Sequence, residues 1–335
     1  MVPTSPSPRP EQPANPEIAL LELVCLPTPY EQTYPLASLT LSHPHLRWGG
    51  LIELAVDHKV LCLLADYLTH TGLLHEQKPH RARFLARQLR LNQYTLHYHR
   101  REAARIAQAF TDASIPYAAV SGIAVESTLY YGRGERPLSD IDLVIEHSRL
   151  AAADTVLTKL GYQPIGQTRR RSVGPYTRTL ADPLVPRIVV DLTHQLNEVA
   201  VDYAPFMAEM VRRRTAQPIP GSPDVLLSVP QRAVHAAYAT IALWDKAHRS
   251  RQLTLLSCAD LLRLWHHAIQ AGEADAARQV IVDHNARSQA DWVFRRLDRA
   301  MGSNITNALK LDPQIGPPAP HVADDLATLL YGNQS

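Results

Sequence analysis

Two aspartates stand two residues apart in the otherwise apolar run RPLSDIDLVI, which spans Arg136 to Ile145. Side chains alternate between the two faces of a strand, so Asp140 and Asp142 would share one face while Ile141 points to the other. Their Cβ atoms would then lie about 6 to 7 Å apart. Carboxylate oxygens at that separation suit one Mg²⁺ or Mn²⁺ ion or a close pair of them, and Mg²⁺ favours phosphate as a further ligand.

A third carboxylate occurs in a second strand-like run, RIVVDLT at 187–193. The apolar residues on either side of Asp191 share one strand face, so Asp191 itself points to the opposite face. If the two strands are neighbours, Asp191 joins Asp140 and Asp142. Three close carboxylates repel one another unless a cation neutralises them, so the pattern predicts a metal site.

The segment YAAVSGIAVE at 117–126 is typical of a phosphate-binding turn. Gly122 lies between a predicted strand and the start of a predicted helix, where a glycine permits close approach of the backbone to a ligand. The free amides of a helix N-terminus favour an anion such as a triphosphate. Arg136 precedes the paired acids by four residues, and its planar guanidinium could clamp a phosphate.

These motifs lie in a segment where strand-like and helix-like patterns alternate, between two segments with helical patterns only. This order predicts a mixed α+β fold with a small sheet flanked by helical regions. The strand-like runs fall at 117–120, 140–146, 176–180 and 187–193. Helical spacing of apolar residues covers about 36–110, ending in a long helix at 82–113, and resumes from Asp224 after TAQPIPGSPD, which is typical of a linker. The predicted units are a disordered Pro-rich tail at 1–16, an N-terminal helical region at 36–113, a catalytic core at 114–214, a C-terminal helical domain at 215–311 and a Pro-rich tail with a short helix at 312–335.

Composition narrows the class of protein. The chain has 335 residues and a net charge of +2, which is too mild to indicate a nucleic-acid-binding protein by itself. Its three cysteines have no paired spacing, which argues against a disulfide scaffold or a zinc site. Charged residues interrupt the most apolar helix-like stretch at 51–68, and the first ten residues do not resemble a secretory leader, so we expect a cytoplasmic protein with no membrane partner.

Taken together, the strand, the small-residue turn, the helix, the D-x-D strand and the later acid resemble the DNA polymerase β-like nucleotidyltransferase superfamily. More narrowly, RPLSDIDLVI, LGYQP and VVDLTHQL resemble a bacterial family of uncharacterised nucleotidyltransferases over about residues 50–305. The turn departs from that family, in which a lysine usually precedes the glycine. Here Ser121 precedes Gly122, so the family's phosphate-binding lysine is missing from this position.

The resemblance implies nucleotidyl transfer with two metal ions. Asp140 and Asp142 would hold the ions that bridge the nucleotide phosphates, while Asp191 would hold the catalytic ion and help to activate an acceptor hydroxyl. The donor is expected to be an NTP, most of all ATP, with pyrophosphate as the leaving group. The nucleotide-binding residues that the resemblance implies are Ser121, Gly122, Arg136 and Ser139.

The resemblance also suggests a small-molecule acceptor: a natural product, a sugar or a peptide. A tRNA or protein acceptor, as in toxin-type relatives, is the alternative within the enzyme class. The run Arg169 to Arg171 would suit RNA, although such runs are more often solvated loops and RNA is the less favoured partner.

Each motif has a purely structural interpretation as well. Asp140 and Asp142 could be solvated acids at a strand edge, and Asp191 could bind backbone amides at a strand end. Arg136 and Ser139 could merely order a loop. Ser121 and Gly122 could form only a tight turn. A non-catalytic nucleotide-binding or partner-binding scaffold is the alternative of a different class, and the absent lysine and the Ser-Gly order favour it. The three retained acids count against it, because a relic has no reason to keep carboxylates that repel one another.

Overall fold

The computed structural model describes residues 15–130, 132–165, 174–196, 202–250 and 253–301. Three sequence-based predictions therefore lie wholly or almost wholly outside the described residues: the tail at 1–16, the arginine run at 169–171 and the C-terminal tail at 312–335.

A five-stranded mixed sheet forms the centre of the molecule, in the order β1-β2-β5-β4-β3. Strands β2 and β5 are parallel, whereas the other neighbouring pairs are antiparallel. The mixed α+β fold that the sequence predicts is confirmed, and each predicted strand is present within two residues of its predicted ends. The strands are β1 Tyr117–Val120, β2 Ile141–Ile145, β3 Gln163–Pro164, β4 Gly174–Thr179 and β5 Arg187–Thr193.

Among the described residues, five helices precede the sheet, and the first begins well before the predicted start at residue 36. Asn15 accepts a hydrogen bond from the Ile18 amide at 3.1 Å, and Pro16 occupies the first helical turn. Proline is tolerated there because it needs no amide partner, so the prolines that suggested a tail up to residue 16 are compatible with a helix start. The long predicted helix is confirmed as α5. The helices are α1 Pro16–Cys25, α2 Tyr30–Leu41, α3 Trp48–Asp57, α4 Leu61–His70 and α5 Pro79–Asp112.

The segment predicted to be a linker followed by a helix is a β-hairpin, so this prediction is wrong. Strands β6 (Arg214–Ile219) and β7 (Ser222–Pro230) pair around Gly221, whose φ of +83° suits a tight turn. Leu227 and Val229 are buried while Leu226 is 51% exposed, which is the alternation of a strand. The short apolar run fitted helical spacing equally well, and only this alternation identifies the strand.

Helices complete the rest of the described chain. Between the strands of the sheet lie α6 (Ser121–Leu129) and α7 (Leu150–Lys159), and α8 (Ala204–Arg212) precedes the hairpin. The C-terminal helices are α9 Arg232–Ser250, α10 Leu255–Gln270, α11 Ala274–Asp283 and α12 Arg287–Met301. None of the described helices combines the length and the apolarity that crossing a membrane requires.

Two hydrophobic clusters bury the two faces of the sheet. One cluster joins α1, α3 and α4 to the C-terminal helices and includes Val120 and Val144 of the sheet. The other packs α5, α7 and the hairpin against Ile141, Leu143 and Val190. The N-terminal and C-terminal helices thus share a core on one side of the sheet, while the predicted domain boundaries stay a prediction.

A buried carboxylate fixes α5 to the second side of the sheet. Glu102 is fully buried and accepts hydrogen bonds from Arg105 on its own helix, Arg178 on β4 and the Tyr162 hydroxyl, at 2.7, 2.6 and 3.0 Å. Charge-assisted hydrogen bonds of this kind are stronger than neutral ones. They hold α5 at one position relative to the strands that carry the acids.

Candidate active site

The D-x-D strand and the third acid meet as the strand pattern predicts. Strand β2 lies beside β5 in parallel register, and Asp142 is the direct partner of Asp191. Asp140 immediately precedes β2, while Ile141 and Leu143 are buried in the core on the opposite face. The structure therefore brings Asp142 and Asp191 side by side, with Asp140 at the start of the same strand.

The environment of Asp142 disfavours its ionised form. Burial raises the pKa of Asp142 well above its usual range, and the neighbouring carboxylates of Asp140 and Asp191 raise it further. Arg136 and Lys246 act in the opposite direction, yet their positive charges do not offset burial and repulsion. Additional positive charge at this point would stabilise the carboxylate.

The donor chemistry of the three acids fits a hard divalent cation, because their oxygens are the ligands that Mg²⁺ and Mn²⁺ prefer. Ser139 donates a hydrogen bond to Asp140 Oδ1 at 2.9 Å and helps to orient it. Across the described ranges, however, no three His, Cys, Asp or Glu side chains are grouped closely enough to hold a metal ion. The acids are neighbouring donors, and their convergence on a cation stays a prediction.

The turn between β1 and α6 requires small residues for two different reasons. Ser121 has a φ of +49°, in the left-handed region, and hydrogen-bonds to the Tyr238 hydroxyl. A Cβ atom on Gly122 would lie 3.1 Å from Leu138 Cδ2 and 3.4 Å from Arg136 Nη1. Close approach at Gly122 is as predicted, but the approaching groups are side chains of this chain. The predicted cradling of a triphosphate stays a prediction.

Arg136 is occupied by a partner that the sequence did not indicate. It is buried, and its Nε and Nη2 atoms donate to the two carboxylate oxygens of Asp260 on α10, at 3.1 and 2.7 Å. Its Nη1 atom donates to the Pro137 carbonyl at 3.0 Å. The planar fork that the sequence predicts to clamp a phosphate is paired with Asp260, and phosphate binding by Arg136 stays a prediction. Arg136 thereby ties the loop that leads to Asp140 to the C-terminal helices.

A cavity of about 740 Å³ lies beside the acids, between the sheet, α3, α4, α9 and α10. All seven residues predicted for the site line this cavity. They are Ser121, Gly122, Arg136, Ser139, Asp140, Asp142 and Asp191.

The cavity also receives a lysine that sequence reasoning missed. Lys246 on α9 donates a hydrogen bond to Ser257 Oγ at 3.2 Å. Burial lowers the pKa of Lys246 and the nearby Lys59 lowers it further, whereas Asp140, Asp260 and Asp142 raise it. No lysine stands at the turn, but Lys246 places a positive charge in the same cavity. The only signal in the sequence was the charged pair Asp245–Lys246 at the end of an apolar helical run.

A buried histidine adds a polar group to the cavity wall. Burial lowers the pKa of His235 to about 4, so the ring is neutral at pH 7. Its Nε2 atom is buried and has no hydrogen-bond partner among the described residues. A buried polar atom without a partner is costly, so His235 is available to hydrogen-bond a ligand in the cavity.

Comparison with known proteins gives a family match and distant structural likenesses. The model of a family described as "Uncharacterised nucleotidyltransferase" matches residues 44–296. No curated protein matches the chain. Among solved structures, an antigenic nucleotidyltransferase-like protein from Paracoccidioides brasiliensis is 15% identical, with a TM-score of 0.36 over 61% of this chain and 92% of that one. That likeness is too distant to carry an argument about this site.

The first prediction concerns the stability cost of Asp142. Because its pKa is raised in the folded state, the ionised carboxylate destabilises the fold, and stability falls as pH rises from the unfolded carboxyl range of about 3.9 towards the raised value. The Asp142→Asn variant removes this cost. We expect its melting temperature at pH 7, without added metal, to exceed that of the wild type by on the order of 1–3 °C.

Scanning calorimetry at pH 7 and pH 4 tests this prediction. The difference should shrink at pH 4, where the wild-type carboxyl is also protonated. Asp275→Asn is the matched control, since the side chain of Asp275 is 90% exposed. A lower melting temperature for Asp142→Asn at pH 7 would contradict the assigned environment.

Proposed function

Because the chain belongs to the uncharacterised nucleotidyltransferase family, we propose that it moves a nucleoside monophosphate from an NTP to an acceptor hydroxyl and releases pyrophosphate. Family membership supports nucleotidyl transfer as the general reaction. The donor ATP, the cation Mg²⁺ and the hydroxyl acceptor are our proposal. One observation carries it: Asp142 and Asp191 are partners on neighbouring parallel strands, beside Asp140 and a cavity of about 740 Å³.

Asp140, Asp142 and Asp191 would hold the cation in this proposal. A bound divalent cation would offset the negative charge of the triphosphate and of the attacking oxygen. The raised pKa of Asp142 supports this assignment, since the positive charges near Asp142 do not offset its burial and the two neighbouring acids. Arg136 acts as a positioning residue, because its pairing with Asp260 orients the loop that ends at Asp140.

Lys246 takes the phosphate-binding role that the turn lacks. It lines the cavity with the acids and is electrostatically coupled to Asp140 and Asp142. In the bound complex, its ammonium group would donate hydrogen bonds to phosphate oxygens at the end of the triphosphate. Ser121 and Ser139 would supply further hydroxyl donors from the loops beside it.

The transfer itself forms one bond and breaks another. The acceptor oxygen bonds to the α-phosphorus, and the bond between the α-phosphorus and the oxygen that bridges it to the β-phosphorus breaks. Asp191 orients the acceptor hydroxyl and takes its proton at a carboxylate oxygen. Pyrophosphate leaves with the electron pair of the broken bond, and Lys246 stabilises its charge.

The acceptor has to reach the cavity from outside, since an NTP occupies much of its volume. A natural product, a sugar and a peptide meet that requirement, as does a polynucleotide.

The second prediction tests transfer. Wild-type protein with Mg²⁺ and an α-³²P-labelled NTP should transfer label to material in a cell extract and release pyrophosphate. Asp191→Asn should lower the rate by about 10² or more, the order of magnitude for loss of one electrostatic stabiliser. Asp275→Asn should transfer at the wild-type rate, and full-rate transfer by Asp191→Asn would contradict the proposal.

The third prediction separates the charge of Lys246 from its packing. Lys246→Met keeps a long apolar stem but loses the ammonium group, so we expect the KM for the NTP to rise by about 10-fold or more, equivalent to 1.4 kcal/mol. Ser257→Ala is the control, because it removes the hydrogen bond to Lys246 and keeps the charge. Equal KM values in wild type and Lys246→Met would rule out a phosphate-binding role.

A further inference from the structure

Helix α5 contains a long stretch of positive charge. Between Gln77 and Arg101 the chain has seven Lys or Arg residues and three His residues, with no Asp or Glu. The chain as a whole is nearly balanced, with 34 basic and 32 acidic residues. With histidines neutral, this segment alone therefore carries a net charge of +7, whereas the whole chain carries +2.

Part of this charge lies in one exposed row along the helix. The row repeats at alternating intervals of three and four residues, which places its members on a single helix face about 32 Å long. Every member is exposed to solvent. We call this row the basic stripe, and it consists of His80, Arg83, Arg87, Arg90, Tyr94, His97 and Arg101.

Three arginines at the centre of the basic stripe have no acidic partner in the part of the chain that the structure describes. Arg83, Arg87 and Arg90 make no ion pair or side-chain hydrogen bond with any described residue. By contrast, Arg100 on another side of α5 pairs with Glu126. Like charges three and four residues apart destabilise a helix by a few tenths of a kcal/mol per pair. An external polyanion would relieve this repulsion.

Aromatic rings interleave with the stripe. Tyr94 is 41% exposed, and the hydroxyls of Tyr94 and Tyr98 both donate to Asp182, the latter at 2.7 Å. The Arg101 guanidinium lies over the Tyr98 ring at 4.9 Å. The exposed Tyr94 ring, fixed by its hydrogen bond to Asp182, offers a stacking surface for an unpaired base, and a row of cations follows a phosphate backbone.

Helix α5, which carries the basic stripe on its exposed face, is tied to the loop that leads to the catalytic acids. Asn92 donates to the Gly134 carbonyl at 2.6 Å and Gln93 to the Arg133 carbonyl at 2.5 Å. Gln88, on the same helix, lines the cavity. Gln88 and Asn92 lie on roughly the opposite face of α5 from the basic stripe. A chain bound along the stripe therefore has to pass around α5 to bring a hydroxyl to the cavity.

We propose that the basic stripe binds single-stranded RNA, and that this RNA carries the acceptor hydroxyl, an inference that rests on the proposed function. Each ribose offers a 2′-hydroxyl, and the terminal one a 3′-hydroxyl as well. A membrane surface fits less well, because the apolar residues near the stripe do not form a separate face that could enter a bilayer. Phe84, Leu91 and Tyr94 are each only about 40% exposed and alternate with arginines.

The fourth prediction uses a 12-nucleotide single-stranded RNA with a fluorescent 5′ label, followed by anisotropy over a salt series. Changing Arg83, Arg87 and Arg90 to Gln should weaken binding about 10-fold or more. It should also reduce the slope of log K against log salt by about 2, since each phosphate contact on a single strand contributes roughly 0.7. The control changes three other exposed arginines to Gln: Arg149, Arg187 and Arg212. Equal losses in both triple variants, or none in either, would overturn the proposal.

Two further readouts distinguish the possible failures. Magnesium-dependent stabilisation by ATP in a thermal shift assay should be the same in the wild type and in the stripe variant. If ATP with Mg²⁺ does not stabilise the wild type, the proposed function is wrong, whereas RNA binding by the stripe is unaffected. RNA that binds but never acquires label from an α-³²P-labelled NTP would overturn the acceptor assignment. Binding to phosphatidylserine vesicles in place of RNA would reassign the stripe to a membrane surface and overturn the proposal.

Discussion

Two carboxylates on neighbouring parallel strands are the constraint on which the site depends. Asp142 and Asp191 are register partners, so the hydrogen bonds of the sheet hold them side by side whatever their mutual repulsion. Burial and a further acid at Asp140 add to that cost. Packing on the opposite face of the sheet can offset this cost. Here Ile141, Leu143 and Ile145 are buried in a continuous core on that face. The fold thus stabilises a pair of acids that are unfavourable by themselves.

The helices on either side complete the site rather than merely flank it. The C-terminal helices supply Lys246, which brings positive charge into the cavity, and Asp260, which holds Arg136 in place. The N-terminal helices α3 and α4 close the opposite wall. Because the N-terminal and C-terminal helices share one hydrophobic cluster, a core substitution in either set should also shift the walls of the cavity. The acids of the sheet and the cations of the helices form one electrostatic unit.

The sequence predicted those features of the site that depend on the residue pattern within one strand. Alternation along β2 and β5 was enough to place Asp142 beside Asp191, with Asp140 immediately before β2. The partner of Arg136 was out of reach, because Asp260 lies on a helix far along the chain and no spacing rule connects them. Lys246 was missed for the same reason. The β6–β7 hairpin was misread because prolines and a glycine, which also suit linkers, stand in and between its strands, and its alternation is visible only in the burial of Leu227 and Val229.

Metal-dependent nucleotide binding at the paired acids is the central claim, and calorimetric titration tests it most directly. Each NTP would be titrated, with and without Mg²⁺, into wild-type protein and into the variant that combines Asp140→Asn with Asp142→Asn. We predict that at least one NTP, ATP above all, binds the wild type only with Mg²⁺ and does not bind the variant. Binding of equal affinity without Mg²⁺, or binding retained in the variant, would contradict the assignment of these carboxylates.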